Sequence, residues 1–134
     1  ICEAMHGYGM KLGTAYQIYD DVVDIIGTEE VTGKTLGTDL EKGKLTLPIL
    51  NLLNTATPKQ KEKLTKRIIE QEPLDLHILG GIADYEGAVD DALKTASQLV
   101  AEARGSLSLL NASEYTTALE DITLYVDQLL KSCR

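Results

Sequence analysis

The stretch AYQIYDDVVDII, residues 15–26, decides how this chain is read. Three acids, Asp20, Asp21 and Asp24, stand among Ile18, Val22, Val23, Ile25 and Ile26. On a helix that turns 100° per residue, with Gln17 at the origin, Asp20 falls at about 300°, Asp21 at about 40° and Asp24 at about 340°. The four polar side chains share one stripe, and Ala15, Ile18, Tyr19, Val22 and Ile26 fall opposite it. The pattern predicts a helix with one buried wall and one acidic wall. Carboxylates this close repel one another unless a cation lies between them. A hard divalent ion such as Mg²⁺ suits such a wall, because it takes one or two carboxylates and completes its shell with water and phosphate oxygens. Softer metals want His or Cys, and neither lies on this face. A solvated acidic stripe is the plainer alternative, and these twelve residues alone do not choose between the two.

Working outward, the helix is expected over residues 3–26. It contains Gly7, Gly9 and Gly13, each costing about 1 kcal/mol relative to Ala in a helix interior. Close approach of a neighbouring helix is the expected reason. Gly27 ends the helix, and GTEEVTGKTLGTDLEKGK, residues 27–44, follows as a long polar loop. Loops of that length in a compact domain are usually functional or mobile. LTLPILNLLN, residues 45–54, reads as a short buried helix with Pro48 early in it, where its missing N–H does no harm.

The remainder also reads as helix. Thr57, Pro58 and Gln60 form a capping-box start. Leu64, Ile68 and Ile69 make a narrow apolar stripe on the helix that follows, with Pro73 closing it. Lys residues between 59 and 67 are expected on a solvated face. A long helix is expected from about Ile78 to Leu110, with possible breaks at Gly80-Gly81, Gly87 or Gly105. Ala83, Ala88, Ala92, Ala96, Leu99, Ala103 and Leu107 are its helical-period face. Asn111 with Glu114 has capping-box spacing, and Leu119, Ile122, Val126, Leu129 and Leu130 mark the last helix. Tyr85, Tyr115 and Tyr125 are expected at helix contacts. His6 and His77 are expected to be lone histidines rather than ligands, and Asp90-Asp91 to lie on a solvated face. No alternating strand pattern appears, so the class is all-α.

Composition bounds the function. The 134 residues carry a formal net charge of −8, against the basic face that nucleic-acid binding needs. No apolar run is long enough for a transmembrane segment. No secretory signal is expected, and Cys2 and Cys133 are expected as free thiols in a reducing, cytoplasmic setting.

The loop gives the acids a companion. Lys34, Lys42 and Lys44 are interleaved with Gly33, Gly37 and Gly43. Glycines allow close backbone approach to a ligand, and Lys serves as a point charge for phosphate oxygens. GTAYQIYDDVVDIIG followed by TGKTLGTDLEKGKLTLPIL resembles the second aspartate-rich motif and following loop of the trans-isoprenyl diphosphate synthases, the polyprenyl synthetase family. The resemblance rests on Gly13, Tyr16, Gln17, Asp20, Asp21 and Asp24, then Gly33, Lys34, Gly37, Asp39, Leu40, Gly43, Lys44, Thr46 and Pro48. It covers about 36 residues, and Tyr16 stands where the family usually has Phe.

The resemblance implies an all-helical isoprenoid synthase bundle and a Mg²⁺-dependent prenyltransferase. Such an enzyme joins isopentenyl diphosphate head to tail to an allylic diphosphate. It implies that Asp20, Asp24 and Asp39 serve the metal, with Asp21 supporting them. Lys34 and Lys44 would hold the diphosphate, and Gln17 would orient groups near the reacting carbon. The family's first aspartate-rich motif and its isopentenyl diphosphate site have no counterpart in these 134 residues. Residues 1–134 are therefore expected to be the C-terminal half of a polyprenyl synthetase domain, inactive alone, from a homodimeric parent. A non-catalytic regulatory subunit of a heteromeric synthase is the alternative. GKLTLPIL leans toward the medium- to long-chain synthases.

Overall fold

The computed structural model describes residues 1–26, 44–72 and 76–133, without side-chain detail at 76 and 77. The loop residues Lys34 and Asp39, Pro73 and the His77 side chain lie outside the described residues. Six α-helices are described: α1 Cys2–Ile26, α2 Leu47–Thr55, α3 Pro58–Ile69, α4 Leu76–Ile82, α5 Tyr85–Ser106 and α6 Glu114–Lys131. A short 3₁₀ turn, Leu107–Leu109, follows α5. No strand occurs among the described residues. The chain divides into two compact units, residues 1–19 with 93–134 and residues 20–92.

In the first unit, Tyr8, Ala103 and Leu107 form a buried cluster with Met5, Leu12, Leu110 and Leu119 against it. The Tyr8 hydroxyl donates to the Leu119 carbonyl at 2.8 Å, and burial raises its pKa by disfavouring the phenolate. Arg104 ties α5 to α6. Its Nε donates to Thr123 Oγ1 and its Nη2 to Asp127 Oδ2, both at 3.0 Å. Thr123 is fully buried, so its hydroxyl needs partners. Arg104→Ala is expected to cost about 1.5 kcal/mol in urea unfolding, the ion-pair part being discounted for the exposure of both side chains.

In the second unit, Ile25, Ile49, Leu52, Leu64, Leu79, Ala83 and Ala88 form the core. Asn51 Nδ2 donates to the Ala88 carbonyl at 3.4 Å. The buried face of α5 is broader than its alanines suggest, because Val89, Leu93 and Val100 are buried beside Ala92, Ala96 and Ala103. Leu99 is only half buried.

The α3 capping box forms as expected. Thr57 Oγ1 accepts from the Gln60 N–H at 3.3 Å, and Gln60 Oε1 accepts from the Thr57 N–H at 2.9 Å. Other details differ. Leu50 on α2 is 45% exposed and Ile69 on α3 is 74% exposed. Ile69 lies about 140° around the helix from Leu64 and so turns away from the core. Pro73, expected to close α3, lies outside the described residues, and the described close comes before it. Gln71 adopts φ 54°, the Glu72 N–H bonds the Arg67 carbonyl at 3.0 Å, and the Gln71 N–H bonds the Ile68 carbonyl at 3.3 Å. That pair is a Schellman close, in which glycine is the favoured left-handed residue. Gln71→Gly is expected to stabilise the fold by about 1 kcal/mol, read as a raised urea midpoint.

The expected long helix is two helices. The break falls at Ala83-Asp84, where Asp84 Oδ1 accepts from the Gly87 N–H at 3.1 Å and caps α5. Gly87 and Gly105 lie inside α5 and do not interrupt it. Asn111 does not cap α6. Ser113 does, in extended backbone at φ −161°, its side chain accepting from the Thr116 N–H. Asn111 instead offers its carbonyl to the Thr116 hydroxyl at 2.8 Å. Tyr85 packs on the second unit's core, but Tyr115 and Tyr125 are 74% and 59% exposed. Ile122 is also half exposed, and Thr123, Val126 and Leu130 form the buried side of α6.

Candidate metal–diphosphate site

α1 carries Gln17, Asp20, Asp21 and Asp24 on one continuous helix. Burial grades along it: Gln17 is exposed, Asp20 and Asp21 are intermediate, and Asp24 is 8% exposed. Val22, Val23 and Ile25, the neighbours of Asp24 along the helix, are buried as well. The acidic wall is thus open at Asp20 and closed in at Asp24. The helical period showed the stripe, but not this gradient.

Lys44 and Leu45 are exposed, and Thr46 precedes α2 in extended backbone. The Thr46 N–H bonds the Lys44 carbonyl at 3.0 Å. Thr46 occupies the N-cap position of α2 but makes no side-chain cap. Its Oγ1 is buried and, among the described residues, finds no hydrogen-bond partner. A buried hydroxyl of that kind normally has one. Pro48 sits in the first turn of α2, as its fixed φ requires.

Asp20 and Asp24 stand four residues apart, one turn along α1. Their hard carboxylate oxygens fit Mg²⁺ or a similar ion. Among the described residues no group of three or more His, Cys, Asp or Glu side chains could hold a metal. Lys34 and Asp39, the other expected site residues, lie outside the described residues.

Close packing explains only one α1 glycine. A Cβ at Gly7 would meet Ser106 Oγ at 3.6 Å, whereas nothing lies within 4 Å of one at Gly9 or Gly13. Instead, Gly9, Leu12, Gly13 and Tyr16 face Ile122, Tyr125 and Val126 across an apolar groove of about 470 Å³. His6 is exposed, and so are Asp90 and Asp91. Cys2 and Cys133 are free thiols, and partial burial raises the Cys133 pKa. No described helix is long and apolar enough to cross a membrane.

Residues 1–79, more than half of the chain, match the polyprenyl synthetase family. The chain belongs to that family. Among the synthetases it resembles, octaprenyl diphosphate synthase of Haemophilus influenzae is 34% identical over 87% of this chain and 36% of its own length. Heptaprenyl diphosphate synthase component 2 of Bacillus subtilis is 31% identical over 94% of this chain and 36% of its own. A crystal structure of a polyprenyl synthase from Caulobacter crescentus CB15, complexed with calcium and isoprenyl diphosphate, matches with a TM-score of 0.76. It is 30% identical, over 92% of this chain and 38% of that one. The chain thus spans just over a third of the length of these synthetases, and the all-helical fold is theirs.

Proposed function

We propose that this chain supplies one wall of the site of a Mg²⁺-dependent trans-prenyltransferase. The enzyme would make linear all-trans isoprenyl diphosphates by joining isopentenyl diphosphate to an allylic diphosphate. The observation that carries the reading is the match over 92% of the chain to a synthase bound to a divalent ion and isoprenyl diphosphate, together with hard carboxylates on α1 suited to such an ion.

In this reading Asp20, Asp24 and Asp39 hold Mg²⁺, and Asp21 supports them. Bound Mg²⁺ would supply charge stabilisation for the departing diphosphate. Lys34 and Lys44 place positive charge beside the same oxygens, where charge grows as the allylic C–O bond breaks. Gln17 orients groups near the reacting carbon. The isopentenyl double bond attacks the allylic cation, a new C–C bond forms, and a proton is lost. The groove at Gly9, Gly13 and Tyr16 suits an apolar prenyl chain.

Residues 1–134 are, in this reading, the C-terminal half of the synthetase domain, acting in a homodimeric cytoplasmic enzyme. They contain no first aspartate-rich motif, and the chain alone is expected to be inactive. The test is isopentenyl diphosphate incorporation by the 134-residue chain and by the same chain joined to a family N-terminal half bearing that motif. Turnover only in the joined protein supports the reading. Turnover by the chain alone contradicts the half-site, and none in either contradicts the activity. The similarity to a synthase component from Bacillus subtilis keeps a second reading, a non-catalytic subunit of a heteromeric synthase. That subunit would raise a partner's turnover even with Asp20 replaced.

A further inference from the structure

Five of the chain's 13 Lys and Arg residues fall on α3, whose one acid is Glu62. The helix is locally cationic in a chain of net charge −8. Lys59, Lys63, Lys66 and Arg67 recur at i, i+4, i+7 and i+8 and so share one flank. Leu64 and Ile68 turn toward the second unit's core, and the cationic flank overlooks a groove of about 580 Å³. Lys63, Lys66 and Arg67 line one side of it, and Ile78, Gly81 and Ile82 of α4 line the other. Glu72 is the acid among the groove's described lining residues, paired loosely with Arg67 at 3.8 Å. Among the described residues, the ammonium groups of Lys63 and Lys66 make no ion pair. Ile78 and Ile82 are half-buried beside the core, and a Cβ at Gly81 would meet open space.

Two lysines without partners beside an apolar wall suit a ligand that is anionic at one end and apolar at the other. The volume lies in the range of small-molecule sites. We propose that the α3–α4 groove binds a small anionic amphiphile. Its phosphate-class head is held by Lys63 and Lys66, and a short apolar body lies on Ile78, Gly81 and Ile82. Among the described residues the groove carries a single carboxylate, Glu72, so binding there is expected to need no divalent ion. That separates it from the prenyl-transfer site, and the proposal stands independently of that reading. A bilayer is the poorer occupant, because Leu64 and Ile68 are turned toward the core and Ile69 is the one large apolar side chain that α3 leaves exposed to insert.

The test is a titration of the 134-residue chain with dodecyl phosphate below its micelle concentration, in a metal chelator, followed by the backbone amide shifts of Gly80, Gly81 and Ile82. Saturable shifts confined to the groove are expected. Lys63→Glu with Lys66→Glu, both exposed and remote from the core, is expected to weaken binding about tenfold or more. Gly81→Met fills the groove and is expected to weaken binding with both lysines intact, whereas Lys131→Glu on α6 leaves it unchanged. Inorganic diphosphate is expected to bind far more weakly, and phosphatidylglycerol vesicles to sediment none of the chain. Unchanged affinity in the lysine variant overturns the proposal. So does inorganic diphosphate binding as tightly as dodecyl phosphate, which would make the groove a plain anion site. Lysine-dependent sedimentation with vesicles in place of saturable groove binding would make it a membrane contact instead.

Discussion

Asp20→Asn is expected to lower prenyl transfer by about 10²–10³-fold in a protein that joins this chain to the first aspartate-rich motif. The substitution keeps size and hydrogen-bonding ability but removes the negative charge. Asp20 lies on the open part of the acidic wall, whereas Asp24 is closed in. If Asp20 holds the metal as proposed, losing its charge weakens that hold and the stabilisation of the departing diphosphate, an effect on the order of several kcal/mol. Because Asp20 is only partly buried, the fold is expected to keep its thermal midpoint. Rates in steady-state turnover, paired with a melting curve, separate the two. A comparable fall in melting temperature would mean that Asp20 is structural.

Leu52→Ala is expected to destabilise the fold by about 2–5 kcal/mol. Leu52 is 1% exposed in the core shared by Ile25, Ile49, Leu64 and Leu79. Truncation removes apolar contact and leaves a cavity that neighbouring helices fill only in part. Leu50, two residues away on the same helix, is 45% exposed, and its replacement by Ala is expected to cost about 0.5 kcal/mol or less. Urea unfolding of both variants makes the comparison, and equal losses would contradict the assigned face of α2.

The fold was legible wherever one local pattern settled an element. The α1 stripe has a helical period and fits its observed span, and the Thr57–Gln60 box closes through bonds only three residues apart. Caps with competing acceptors were less legible. Asn111 and Ser113 both carry suitable side chains, and the choice falls to Ser113, whose extended backbone directs its oxygen at the Thr116 N–H. The close of α3 gave no signal, because a glutamine stands at the left-handed position. Exposure at Tyr115, Tyr125 and Ile69 depends on which elements pack beside them, and sequence spacing does not carry that information. At the site, the acidic stripe was plain from spacing, but the burial of Asp24 is a matter of what packs over α1, which spacing does not carry. The apolar groove at Gly9 and Gly13 has no sequence signature that separates it from close helix packing, because a missing side chain serves an open groove and a tight contact equally well.

In the proposed reading, the α1 acids and Lys44 belong to one metal–diphosphate site. Mn²⁺, which shares the oxygen preference of Mg²⁺, can be added to the 134-residue chain with inorganic diphosphate while its amide resonances are followed. The account predicts paramagnetic broadening centred on Asp20, Asp21, Asp24 and Lys44, dependent on diphosphate and abolished in the Asp20→Asn/Asp24→Asn double variant. Broadening centred on Asp90 and Asp91, or broadening that survives in the double variant, would contradict it.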